Sequence, residues 1–571
     1  MREFITSLLS REKSPLSNPK IAMAWCRRID VLDPQTQLGK VSEAVAKYLE
    51  HPGKPDFESL QALVMVDNVA QAAFEAIRYQ YVSNPRMAKD MEQRLWQDIV
   101  GFSQRMIDSY QRFIEHEGDE IYRTAGFTEH MPLVLARSLH YIALEAKWHY
   151  FRFEKVPGKL WTLAHRFYRL SEIEGFDSNP FALYPARDKG VSSCADEYIQ
   201  LLMLATLSAN NLSVRQIDWV DQWLDNWSKL VQLNRRNQDD RDHFCVNLQE
   251  PQGPQKIQPE STGEPFRYWG LFDLLHEVQE TIKRLEGGAS PAELGLGSDC
   301  RTPSCLELLK HIEMFWTMSI RNAQIQRSER FDVRKAAEVV HGLDVICQQV
   351  RADNEKHTRQ PTETRTQVDY DELMDMRLYG FVSARTRSKL QQMPGGTIGA
   401  PRIETQSWLI ENESKGGFGA VLRYSENDWV RPGRLLGVRL GDAQNWQVGV
   451  VRRLARRGND EIYTGIQVLS ATPVAVSIQQ INGKSSNEPM IVSELTELGG
   501  IELPSQKLAL YLPYRGQDGS NMNTLILYGA DYASDRLYRV QARDRSFTVS
   551  LGSILEKGVD WIWVALQVIK Q

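Results

Sequence analysis

Apolar positions recur every three or four residues through most of the N-terminal half of this chain, then alternate with polar ones towards the C-terminus. The first period is helical and the second is that of a half-buried strand. Residues 57–82 place Leu60, Leu63, Val64, Val69, Ala73, Ile77 and Tyr81 at helical spacing, and 87–116 continue it through Leu95, Ile99, Phe102, Met106, Tyr110 and Ile114. Further helices are predicted over 133–153 and 159–174, divided by Pro157-Gly158, and over 196–209 and 213–233, with Ser213 as N-cap before Val214, Arg215 and Gln216. Residues 1–40 show no long periodic segment, only the turn formers Ser14-Pro15, Asn18-Pro19 and Asp33-Pro34. Near 240–265 the pattern changes: 243–248 read as a strand, a loop follows, and helices resume over 266–285 and 306–320. A short alternation begins at Phe331, and 343–350 are helical again.

The fold class expected is multidomain α+β. Residues 1–350 form an all-α region of successive helical hairpins, repeat-like but without a fixed period, with a possible sub-boundary near 240–265. Polar residues 351–371 read as a linker, 372–480 as a β-barrel domain, and 481–571 as a C-terminal β-rich module. That module has strands near 507–512, 524–528, 537–542, 546–551 and 561–569, forming a second small barrel or an extension of the first.

Composition narrows the class. The chain has 571 residues, 42% hydrophobic and 25% charged, as expected of ordinary globular domains. A net charge of −5 gives no global attraction to DNA, RNA or anionic membranes, so an anion site must be local. No apolar run approaches the roughly 18 residues that span a bilayer, and the first residues lack the apolar core of a signal peptide. Six cysteines in a chain this long are not a disulfide scaffold, and Cys300 and Cys305 have no second pair at metal spacing. A cytoplasmic location is expected.

The most informative stretch is 410–422, I-E-N-E-S-K-G-G-F-G-A-V-L. Asn412, Ser414 and Gly417 form the pattern [DN]-x-S-x-x-G between two strand-like segments. Asn412 and Ser414, two apart, share one side of an extended backbone. Upstream lies the basic cluster Arg385, Arg387 and Lys389, ending at Pro394-Gly395-Gly396, and downstream come alternating segments over 434–440, 446–454 and 463–469. This layout resembles the PilZ-domain family over about residues 377–480. The family's motifs are R-x-x-x-R and [DN]-x-S-x-x-G. The second is complete here; in the first, Lys389 stands at the second position and Arg387 lies between.

The resemblance implies a small β-barrel in a bacterial signalling protein, with the second messenger cyclic-di-GMP as ligand and no other cofactor. Arg385 and Arg387 would take phosphate and guanine contacts, because a planar guanidinium pairs phosphate bidentately and stacks on bases. Lys389 would be a weaker point charge, since Arg-to-Lys is not conservative at such sites. Asn412 and Ser414 would face a guanine edge and Gly417 would supply a turn without a Cβ. A second basic run, Arg452, Arg453, Arg456 and Arg457, reads as a solvated hairpin end.

Catalytic patterns are scarce. Phosphate-cradling G-x-x-x-x-G-K-[ST], G-x-S-x-G and strand-linked G-x-G-x-x-G motifs are absent, and Gly416 to Gly419 lies between strands. Glu145 and His149, four apart, can meet on one helix face, which is ordinarily a satisfied polar contact. Trp219, Trp223 and Trp227 form a stripe that would serve a core or a partner groove. No catalysis is expected. The helical region is expected to bind a protein partner, because a sensor barrel without catalytic output needs one. Two alternatives stay open: an interaction scaffold whose barrel binds no nucleotide, and an enzyme centred on Glu145 and His149.

Overall fold

The computed structural model describes residues 14–50, 55–84, 87–115, 127–184, 191–207, 211–238, 241–320, 330–356, 405–414, 416–441, 443, 445–458, 460–481, 507–515, 521–534, 536–542 and 545–570. Two compact units divide the chain, residues 1–326 and 327–571.

The first unit holds α1 (Pro19–Ile29), α2 (Pro34–Glu50), α3 (Phe57–Ser83), α4 (Lys89–Glu115), α5 (Phe127–Phe151), α6 (Gly158–Ile173), α7 (Cys194–Thr206), α8 (Val214–Trp227), α9 (Phe272–Glu286) and α10 (Thr302–Ile320). Of the three Xaa-Pro pairs read as turn formers in the first 40 residues, Asn18-Pro19 and Asp33-Pro34 are helix starts. Asn18 caps α1 by accepting from the Ile21 amide at 3.0 Å, with Pro19 at N1, and Asp33 accepts from the Thr36 amide at 3.0 Å ahead of α2. Proline at N1 forfeits no hydrogen bond, because that N–H is an orphan in any helix. Ser213 is the N-cap expected of it, in a reciprocal capping box with Gln216.

Helix α5 is enclosed by α4, α6, α7 and α8, so its charged residues must find partners inside. Arg137 and Asp67, on α5 and α3, are 1% and 0% exposed and pair at 2.8 Å. Asp67 also accepts from the hydroxyls of Tyr110 at 2.6 Å and of Tyr141. Burial holds both phenols far above the usual tyrosine range, so they stay donors. Trp219, Trp223 and Trp227 are all buried, so the stripe serves the core.

A small sheet, β1 (Phe244–Asn247), β2 (Gln255–Lys256) and β3 (Phe266–Trp269), interrupts the helices. The helix expected from residue 266 therefore starts at Phe272, because 266–269 pair with β1 instead. Cys300 and Cys305 form a disulfide, which the cysteine count did not suggest, and the other four cysteines are buried thiols.

The second unit contains β4 (Phe331–His341), α11 (Leu343–Lys356), β5 (Gln406–Ser414), β6 (Gly417–Arg423), β7 (Leu435–Leu440), β8 (Gln447–Arg456), β9 (Glu461–Ser470), β10 (Val474–Ile481), β11 (Lys507–Arg515), β12 (Asn521–Leu527), β13 (Leu537–Ala542), β14 (Arg545–Lys557) and β15 (Ile562–Lys570). They make two closed barrels, β4-β5-β6-β9-β8-β7 and β10-β11-β12-β15-β14-β13. The strand order is the same in both, 1-2-3-6-5-4 within each set of six, so the C-terminal module is a second barrel.

Two expected boundaries move. Strand β4 pairs with both β5 and β7, so the middle barrel begins near residue 331 and not at 372. Strand β10 pairs with β11 and β13, so the second barrel begins at Val474. Residues 351–356, expected in the linker, are the end of α11; 357–371 lie outside the described residues. Helix α11 buries Leu343, Ile346, Cys347 and Val350 against Val340, Leu435 and Trp446 of one barrel and Leu510, Leu512 and Trp563 of the other.

Breaking the Asp67 network leaves a buried charge without its partner. Arg137→Leu is expected to cost roughly 3–5 kcal/mol, read as a lower urea midpoint for loss of helical circular dichroism.

Candidate functional site

The [DN]-x-S-x-x-G stretch is the β5–β6 hairpin. Trp408 and Ile410 of β5 point into the barrel and are buried. Strict alternation would send residue 412 inward as well. Instead the register shifts between Ile410 and Asn412, leaving Glu411 as an extra residue, and Asn412 opposes Gly419. This bulge turns Asn412 and Ser414 to the outer face. Ser414 Oγ donates to the Gly417 carbonyl at 3.2 Å and the Gly416 carbonyl accepts from the Val468 amide at 3.0 Å, which ties the turn to β9. Gly417 is required by close approach more than by turn conformation: a Cβ there would run into the Ile466 carbonyl.

The same device occurs in β8. The register shifts between Val451 and Arg453, so Arg452 is the extra residue and Arg453 turns outward opposite Gly465. A single row then crosses four strands, Asn412–Gly419–Gly465–Arg453. The two central glycines let their neighbours lie flat on the sheet. A Cβ on Gly419 would collide with the Tyr463 hydroxyl and the Asn412 amide, and one on Gly465 would come within 2.8 Å of Arg453 Cγ and Nε. Asn412 Nδ2 donates to Tyr463 Oη at 3.1 Å. The guanidinium carbons of Arg453 and Arg457 lie 5.5 and 4.8 Å from the centre of the Tyr463 ring.

This corner is cationic. Burial raises the Tyr463 phenol, but hydrogen bonds with Asn412 and Arg453 and the charges of Arg453 and Arg330 outweigh it, leaving the phenol below its usual range. The nearby carboxylates are neutralised, Glu411 by Arg457 at 2.9 Å and Glu413 by Lys335 at 3.1 Å.

Of the residues singled out from sequence, Asn412, Ser414 and Gly417 come together on this outer hairpin, whereas Arg385, Arg387 and Lys389 lie outside the described residues. The run 452–457, read as a solvated hairpin end, contributes Arg453 and Arg457 to the same face as Asn412. Tyr463 carries only one sequence signal, Tyr463-x-Gly465, a large ring two positions from a bare backbone on one strand face. In the helical unit, Glu145 accepts from Gln104 at 2.9 Å and stands 3.9 Å from His149, whose Nδ1 meets Glu154 at 2.9 Å. Among the described residues no group of three or more His, Cys, Asp or Glu is placed to hold a metal, and no helix is long and apolar enough to cross a membrane.

Two family models match the chain. Residues 346–474 match the middle PilZ domain of the cyclic-di-GMP receptor FimW. The middle barrel is a PilZ domain. Residues 20–238 match the N-terminal domain of the same receptor, which extends the likeness to the helical unit. No curated protein and no solved structure matches the chain. The PilZ match begins after β4, the strand that closes the barrel.

The glycine row yields a contrast. Gly419→Ala is expected to destabilise the protein by about 1–3 kcal/mol through overpacking. Gly416→Ala, with open space around its Cβ position, should stay within about 0.5 kcal/mol of the parent. Urea unfolding of the two variants checks both.

Proposed function

We propose that this chain is a cytoplasmic bacterial cyclic-di-GMP receptor. It takes the dinucleotide on the outer face of the middle barrel and passes the signal on through protein–protein contacts of its helical region. The observation that carries this reading is the placement of Asn412 and Ser414 side by side on an outward, cationic face of a PilZ barrel. Cyclic-di-GMP presents two guanines and two phosphodiesters. Asn412 offers the donor–acceptor pair that a guanine edge needs, and Ser414 adds a hydroxyl. Arg385 and Arg387 supply guanidinium planes for phosphate and base, with Lys389 as a point charge beside them.

Binding at such a site is a matter of capture and not of chemistry, so the reading needs no catalytic residue. A ligand shifts a conformational equilibrium only by its differential affinity for the two states. The output therefore depends on contacts that differ when the basic cluster engages ligand. A protein partner of the helical region is where we place that output.

Calorimetric titration of the full-length protein with cyclic-di-GMP tests this. Micromolar or tighter binding is expected, weakened at least tenfold, about 1.4 kcal/mol, by Arg387→Ala and by Asn412→Ala. A folded protein that shows neither heat nor displacement of a fluorescent cyclic-di-GMP analogue would sink the receptor reading.

A further inference from the structure

Several arginines around the outer face of the middle barrel end on a carboxylate. Arg452 pairs bidentately with Glu556 at 2.5 and 2.8 Å, Arg457 with Glu411 at 2.9 Å, Arg434 with Asp560 at 2.6 Å, and Arg439 with Glu338. Arg453 is different. Among the described residues no carboxylate pairs with it, and its guanidinium reaches the Tyr463 hydroxyl only at 3.5 Å. It is nonetheless held in place. The side chain is half-buried, its stem lies along Gly465, and its head stands over the Tyr463 ring.

A half-buried guanidinium has five N–H donors and has lost part of its hydration, so an unpaired one is costly unless an anion completes it. The local carboxylates do not compete, because Glu411 and Glu413 are already paired with Arg457 and Lys335. Tyr463 links the cation to the motif: its hydroxyl meets Asn412 on one side and Arg453 on the other.

We propose that Arg453 is a ligand-binding residue of this site, donating its N–H fork to a phosphodiester of the cyclic dinucleotide, with Tyr463 positioning it. This rests on the receptor reading above. It adds a contact from the sheet itself, across from Asn412, to those expected from residues 385–389.

Titrations of the full-length protein with cyclic-di-GMP, each paired with a thermal melt, test it. Arg453→Ala should bind at least tenfold more weakly with an unchanged melting temperature, because no protein ion pair is lost. Arg453→Lys should fall between, keeping the charge but losing the fork. Arg452→Ala, whose partner is Glu556, should bind as the parent does. Parent-like affinity, within twofold, in Arg453→Ala alongside lost binding in Asn412→Ala would overturn the proposal and leave the receptor reading intact. A lowered melting temperature without loss of affinity would assign Arg453 a structural role and overturn it too. If Arg453→Ala fails to fold, parent-like affinity in Arg453→Lys overturns it. No binding by the parent protein would remove the receptor reading and this inference together.

Discussion

Strand β4 closes the middle barrel. Its Phe331–Val339 segment hydrogen-bonds to β5, and its Ala337–His341 segment to β7. Without it both neighbours would present unpaired backbone edges, and the curvature that exposes one face of β5, β6, β9 and β8 would not be held. The second barrel closes in the same way through β10, between β11 and β13. Helix α11 follows β4 directly and fills the apolar space shared by the two barrels. The order of events in the chain is thus strand, plug, then the remaining sheet.

On the outer face the physical problem is the reverse of core packing. Polar side chains must lie close together without an apolar lining to fix them. Two bulges, at Glu411 and Arg452, aim Asn412 and Arg453 outward, and two glycines clear the sheet beneath them. Electrostatics then distributes the charges. Glu411 and Glu413 are matched to cations, and the bulge residue Arg452 ties this barrel to Glu556 of the next. Adjacent arginines consequently do different work, one binding barrel to barrel and the other facing the site.

Much of this was legible in advance. Helical periodicity located most helices, alternation located most strands, and Asn412-x-Ser414 shared a face as the pleat requires. What escaped depends on non-local pairing. The Phe331 alternation is visible, but nothing local says that a strand there pairs with residues 406–413 and 436–440, so the sequence alone groups it with the helices. The run 452–457 looked like a solvated end because a register shift cannot be read from one strand alone. Asn18-Pro19 and Asp33-Pro34 were ambiguous for another reason: the residues that make a turn also cap a helix, and only the following packing decides between them. Arg385, Arg387 and Lys389 were legible as a basic cluster, and the described residues do not include them.

The place of that cluster in the chain has a further meaning. It does not precede the barrel; it lies between Lys356 at the end of α11 and Gln406 at the start of β5, both of which belong to the second unit. That interval is an insertion in the order of the strands, so a truncation that begins at β5 discards β4 together with the cluster and leaves β5 and β7 without the strand that joins them.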